Sequence, residues 1–82
     1  MGFKIECFSN RTERLVDEKP ISGTPLSKLQ DLFEVPRNNS MYDGGYPIEE
    51  KDVEKIRFFS YFFGINFDFH KNSYFLIYRA DS

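Results

Sequence analysis

YFLIYR (residues 74–79) runs through five apolar or aromatic side chains before its first charge, so both of its faces are apolar. A strand with one wet face alternates apolar and polar residues; one apolar on both faces belongs in the middle of a sheet. This stretch is therefore read as a central strand, and the remaining elements are read outward from it.

The opposite end of the chain supplies a second strand. FKIECF (3–8) sets Phe3, Ile5 and Cys7 against Lys4 and Glu6, the period of two of a half-buried strand. SNRT (9–12) offers turn residues and ERLVDE (13–18) returns, which completes a hairpin. A second hairpin is expected before the C-terminus. Ile65, Phe67 and Phe69 alternate with Asn66, Asp68 and His70, then HKNS (70–73) turns into the central strand. Strand order stays open at this level, with pairing of the first and last strands at the sheet centre the favoured arrangement.

Two helices lie between the hairpins. In TPLSKLQDLFEV (24–35), Thr24 suits an N-cap and Pro25 the first helical position. Leu26, Leu29, Leu32 and Phe33 form one apolar stripe, and Pro36 stops the helix. PRNNSMYDGGYP (36–47) is rich in turn formers, yet Met41, Tyr42 and Tyr46 predict a loop that packs down. A second helix is expected from Glu49 to Phe63, ended by Gly64 in the left-handed conformation. The order is then ββααββ: a single α+β domain over residues 1–82, with a four-stranded antiparallel sheet and two helices packed on one face.

The second helix begins an aromatic concentration. RFFSYFFGINFDF (57–69) holds seven aromatics in thirteen residues, in a chain without Trp. At 100° per residue, Val53, Ile56, Phe59 and Phe63 share the core face, while Glu50, Glu54, Arg57 and Tyr61 form a polar face beside it. Phe58 and Phe62 point away from the core and require a second covering surface. The long loop or the first helix can supply it; so can a partner or a second copy.

Composition bounds the rest. Forty per cent hydrophobic and 29% charged residues describe a folded chain, with the 18% aromatic share helping a small domain bury area. The single cysteine, Cys7, permits no intrachain disulfide and suits a reducing compartment. MGFKIECFS has no apolar leader, and no segment is apolar over the roughly eighteen residues of a membrane span. A cytoplasmic protein with no membrane partner is expected. Scattered basic residues and a net charge of −2 argue against nucleic-acid binding.

Catalytic and metal chemistry find little footing. His70 is the only histidine and has no cysteine or histidine near it in sequence, so no metal site and no cofactor are implied. No nucleophile–base spacing uses it. DGGYP (43–47) lacks the lysine of a phosphate loop. The expectation is a binding protein rather than an enzyme.

DGGYPIEEKDVE (43–54) carries five acids against one lysine. On a continuous helix Glu50 and Glu54 would stand four apart and repel by about 0.2–0.5 kcal/mol. Solvated helix faces often have this composition. The sharper reading is an acidic surface for a basic partner, with Asp43, Glu49, Glu50, Asp52 and Glu54 as charges and Tyr42, Tyr46 and Phe58 as anchors.

FSNRTERLVDE (8–18), LSKLQDLFEVP with MYDGGYPIEEKDVEKI (26–56) and FDFHKNSYFLIY (67–78) together resemble a family of small, functionally uncharacterised bacterial domains. Thr12-Glu13, Leu15-Val16 and Tyr46-Pro47-Ile48 carry the resemblance most clearly. The opening MGFKI and the closing NSYFLIYRAD (72–81) are similar to the immunity proteins of cloacin-type ribonuclease bacteriocins, which are more acidic and contain Trp. That resemblance implies an immunity protein that neutralises a basic toxin domain, a nuclease or the effector of contact-dependent inhibition, acting as a monomer or weak homodimer. The alternative is a small structural or regulatory module that self-associates through Phe58 and Phe62.

Overall fold

The computed structural model describes residues 2–80, so Met1 of the opening motif and Asp81 of the closing one lie outside the described residues. The elements are β1 (Gly2–Ser9), β2 (Leu15–Pro20), α1 (Leu26–Phe33), β3 (Tyr46–Ile48), α2 (Val53–Phe63) and β4 (Asn72–Arg79). The fold is α+β: one antiparallel sheet in the order β2-β1-β4-β3, with two helices packed alongside.

The centre of the sheet is the pairing of first and last strands. Phe3, Ile5 and Cys7 stand opposite Tyr78, Leu76 and Tyr74, so three cross-strand pairs point to the same face. Onto that face come Leu29 of α1, Phe59 of α2 and Met41 of the loop between α1 and β3, all fully buried. Leu26, Leu32 and Phe33 flank Leu29 on the predicted stripe. The other face holds Lys4, Glu6, Phe8, Phe75 and Ile77, and neither helix contributes to it.

Two segments exchange the roles their sequences suggest. Tyr46–Ile48, which overlaps the last two residues of the expected loop, forms β3 on the outer side of β4. Residues 65–69, expected as a strand, are irregular. The order of elements is thus ββαβαβ. Inward alternation nevertheless holds: Ile65, Phe67 and Phe69 are half-buried against the core, and Asn66, Asp68 and His70 are exposed. The segment has no edge to join, because β4 is flanked by β1 on one side and β3 on the other. Side chains take over some of its backbone bonds instead. Ser60 Oγ donates to the Ile65 carbonyl at 2.9 Å, and the Tyr74 hydroxyl accepts the Asp68 N–H at 2.8 Å.

The second helix starts at Val53 rather than Glu49. Pairing of Ile48 with Tyr74 holds the chain in the sheet until residue 48, and residues 49–52 then form a turn. Val53 lands outside the core, 55% exposed, contrary to its expected place on the inner face; Phe59 is fully buried, with Ile56 and Phe63 half-buried beside it. Gly64 ends the helix at φ 67°, as expected, its N–H bonding to the Ser60 carbonyl. At α1 the residue before the helix is Pro25 rather than Thr24, and no side chain caps it.

Candidate protein-binding surface

The loop from Pro36 to Gly45 is held by a small polar network around Gln30, which is only 3% exposed. The Gln30 amide donates to the carbonyls of Arg37 (3.1 Å) and Asn39 (2.8 Å) and accepts from Arg37 Nη1 (3.2 Å). Asn39 Oδ1 then accepts the Met41 N–H at 2.8 Å. This bond supports Met41 at φ 62°, a left-handed backbone that costs a non-glycine residue about 1 kcal/mol or more. The reward is a fully buried Met41 side chain. Tyr42 follows, stacked on Tyr78 with ring centroids 4.1 Å apart and tilted against Phe3. Its other side remains open, at 54% exposure, and Asp43 next to it is exposed.

Tyr46 is not a surface anchor. It lies half-buried in β3, edge-on to Phe33 at 5.9 Å, and its hydroxyl accepts from Asn39 Nδ2. Asp52 is likewise committed to the fold. Its carboxylate accepts the Glu49 N–H at 2.8 Å and pairs with Lys55 at 3.3 Å. The Glu49 N–H, ahead of the Lys55 ammonium, holds this carboxyl below the ordinary aspartate range. Glu49 is exposed and 3.5 Å from Lys51. Glu50 sits in the turn before α2, so it does not stand one turn from Glu54 on a continuous helix as expected.

Asp43, Glu50 and Glu54 are exposed and have no ion-pair partner among the described residues. They do not form a single cluster. Tyr42 stacks on Tyr78, whereas Ile48, which leads into Glu49, pairs with Tyr74, four residues back along β4 and so roughly 13 Å away. The acids therefore border β3 at both ends, and Glu54 continues them onto α2.

Phe58 stands apart from the acids in its surroundings. α1 covers it in part: the Lys28 ammonium lies 5.2 Å from its ring centroid, and Phe59 meets it edge-on. Phe62, 4.9 Å from Phe58, stays 62% exposed, and Tyr61 reaches 80%. The helical projection puts Tyr61 on the polar face, which is correct for exposure but conceals that it is the most exposed large ring on the surface. Its neighbours at one-turn spacing, Arg57 and Phe58, are the signal that marks the patch in the sequence.

Both sheet edges are closed to an added strand. The Ile21 N–H bonds to the Phe3 carbonyl, so by alternation Lys19 and Asp17 turn their amides toward β1, while Pro20 and Glu18 turn theirs outward. Pro20 has no N–H, and that of Glu18 is taken by Asp17 Oδ1 at 2.9 Å. A bulge at Val16 breaks the remainder. At the other edge β3 has three residues with Pro47 in the middle. The face without helices is satisfied internally. Arg79 grips Glu6 through two bonds of 3.1 and 3.2 Å, Lys4 pairs with Glu18 at 2.7 Å, and Phe8 packs edge-on to Phe75. Glu6 is left only 3% exposed there.

Reactive groups are sparse. Burial pushes the Cys7 thiol up, against a smaller lowering effect of its hydrogen bond with Tyr74, which makes it a poor nucleophile. His70 is exposed in the turn before β4. Among the described residues no three His, Cys, Asp or Glu side chains gather to hold a metal ion, and no helix is long and apolar enough to cross a membrane.

Residues 3–77 match one known domain family, described as a domain of unknown function, DUF7683. The chain belongs to that family. No curated protein and no solved structure matches the chain. The family thus carries no activity over to this domain, and the surface has to be read from its own chemistry.

Proposed function

We propose that this domain is an immunity-type inhibitor, a cytoplasmic protein that binds a basic toxin domain stoichiometrically and holds it inactive. One observation carries the reading: Asp43, Glu50 and Glu54 are exposed carboxylates with no ion-pair partner among the described residues, and they flank β3 and the start of α2. Acids that pair with no internal cation gain nothing for the fold. They do steer and hold a basic partner such as the phosphate-binding cleft of a nuclease.

The frame behind these acids supports the same reading. Gln30 and Asn39 hold the loop that delivers Tyr42 and Asp43, and the Asp52 carboxylate closes the turn that delivers Glu49 and Glu50. A surface already ordered before binding loses less entropy on association. Because both sheet edges lack free donors, recognition would proceed through side chains rather than strand addition.

The test is co-expression of the tagged chain with the product of its neighbouring gene, followed by purification of the complex. A one-to-one complex with a basic domain, inactive while bound, is the expected result. In that complex the triple reversal Asp43→Lys, Glu50→Lys and Glu54→Lys should slow association at least about tenfold at low salt. Unchanged association would remove the acids from the interface, and recovery of the chain without a partner would defeat the reading.

A further inference from the structure

The outer side of α2 has the properties of a contact surface that the acidic residues do not explain. Tyr61 and Phe62 protrude, 80% and 62% exposed, from a ridge they form with Phe58. A hollow lies on each side of the ridge. One, of about 510 Å³, is lined by Pro25, Lys28 and Phe63; the other, of about 390 Å³, by Leu32, with Glu54 and Arg57 at its edge. Phe58 and Phe62 line both.

We propose that this face is the interface of a homodimer and that its occupant is a second copy of the same chain. A two-fold interface requires a patch that is its own complement, with protrusion and recess side by side. The ridge and its hollows meet that requirement, each recess being large enough to receive a ring. With the two α2 helices antiparallel and the axis at the level of residue 60, Phe58 of each copy meets Phe62 of the other, and Tyr61 lies beside its mate.

Charge separates this patch from the acidic one. Its rim carries Lys28, Arg57 and Glu54, both signs together, so two copies can approach without the repulsion that the Glu49–Glu50 turn would impose on itself. Area points the same way. Exposed surface on Tyr61 and Phe62 amounts to roughly 250 Å² per copy, given the area such rings bury. Doubled, this is about 500 Å², and Phe58, Lys28, Leu32 and Arg57 around the rings must bring it toward the roughly 1,000 Å² at which specific interfaces begin, the domain of weak dimers. The blunted edges at Pro20 and Pro47 leave this helix face, rather than strand pairing, as the route to self-association. Asp43, Glu49 and Glu50 stay outside the dimer contact and Glu54 borders both surfaces, so the variants at 61 and 62, which leave every acid in place, test this inference apart from the inhibitor reading.

Sedimentation velocity across about 5–500 µM tests it, micromolar dissociation being the range a small interface allows. The expected mass rises with concentration from the 9.7 kDa of one chain toward twice that value. Phe62→Glu should weaken the dimer at least about 30-fold, as loss of a central ring anchor does. Its circular dichroism and urea midpoint should stay at their original values, and Tyr61→Glu serves as the second variant. Cys7 is buried, so Tyr61→Cys adds the sole accessible thiol and should form a disulfide-linked dimer under mild oxidation, whereas Val16→Cys on the exposed β2 should not. A monomer at the highest concentration overturns the proposal. So does a dimer indifferent to both substitutions at 61 and 62, or one that links through Val16→Cys as readily as through Tyr61→Cys.

Discussion

Two groups of three aromatic rings, separated by a few residues of chain, take opposite places in this protein. Phe67 and Phe69 lie parallel with centroids 5.6 Å apart, and both present their faces or edges to Tyr74 at 4.7 and 5.3 Å. Phe62 contacts Phe58 and Tyr61 at similar distances, 4.9 Å each. Yet Tyr74 is 4% exposed and Tyr61 is 80% exposed. The difference lies beneath the rings. Tyr74 belongs to a central strand, so its cluster closes onto the sheet; in the α2 cluster only Phe58 reaches inward, to Phe59 and Phe63, with the Lys28 ammonium over its ring, while Tyr61 and Phe62 close on nothing beneath them. Contact between rings does not remove them from water unless a second layer does. The first cluster therefore contributes to folding, and the second leaves the apolar surface of Tyr61 and Phe62 in water.

That contrast sorts substitutions by layer rather than by ring type. The largest effect belongs to Phe59, which is fully buried against Phe33, Phe58 and Phe63. Phe59→Ala should cost about 3–5 kcal/mol of unfolding free energy in urea, enough to leave a chain of this size marginal. A smaller loss would show that α2 does not anchor the core. Tyr74→Phe keeps the ring and deletes the hydroxyl that accepts the Asp68 N–H. It should cost about 1–2 kcal/mol, with faster amide exchange at Asp68. An unchanged midpoint would mean that the hydroxyl plays no part in holding the 65–69 segment. Tyr61→Ser marks the small end: within about 0.5 kcal/mol of the original in dilute monomer, although a tyrosine is removed. A large loss there would erase the distinction between the two clusters.

Much of the architecture could be read before any coordinates. Alternation at Phe3, Ile5 and Cys7 and the doubly apolar run at 74–79 locate the two central strands, and the stripe through Leu29 locates the buried side of α1. Gly64 marks a helix end correctly because a left-handed residue is needed there. The candidate site was legible in pieces. The exposed acids were visible as composition, but Tyr46 and Asp52 carry the same residue types and turn out to serve the loop and the turn. No periodicity distinguishes a tyrosine that meets a partner from one that accepts a bond from Asn39.

Side-chain direction is a local property. It follows from a repeat of 2.0 or 3.6 residues, and so the inward positions of residues 3–7 and 65–69 could be taken from the amino acids alone, whereas in 74–78, apolar on both faces, the pairing with β1 decides it. Whether an extended run becomes a strand is not local, since it depends on a free edge. Tyr46–Ile48 occupies the remaining side of β4, and the better-patterned 65–69 is left to cover the core without a ladder. The same competition moves the start of α2 from Glu49 to Val53 and so parts Glu50 from Glu54. Coverage is not local either: α1 reaches Phe58 through Lys28 but does not reach Phe62, and that short distance leaves the outer rings in water.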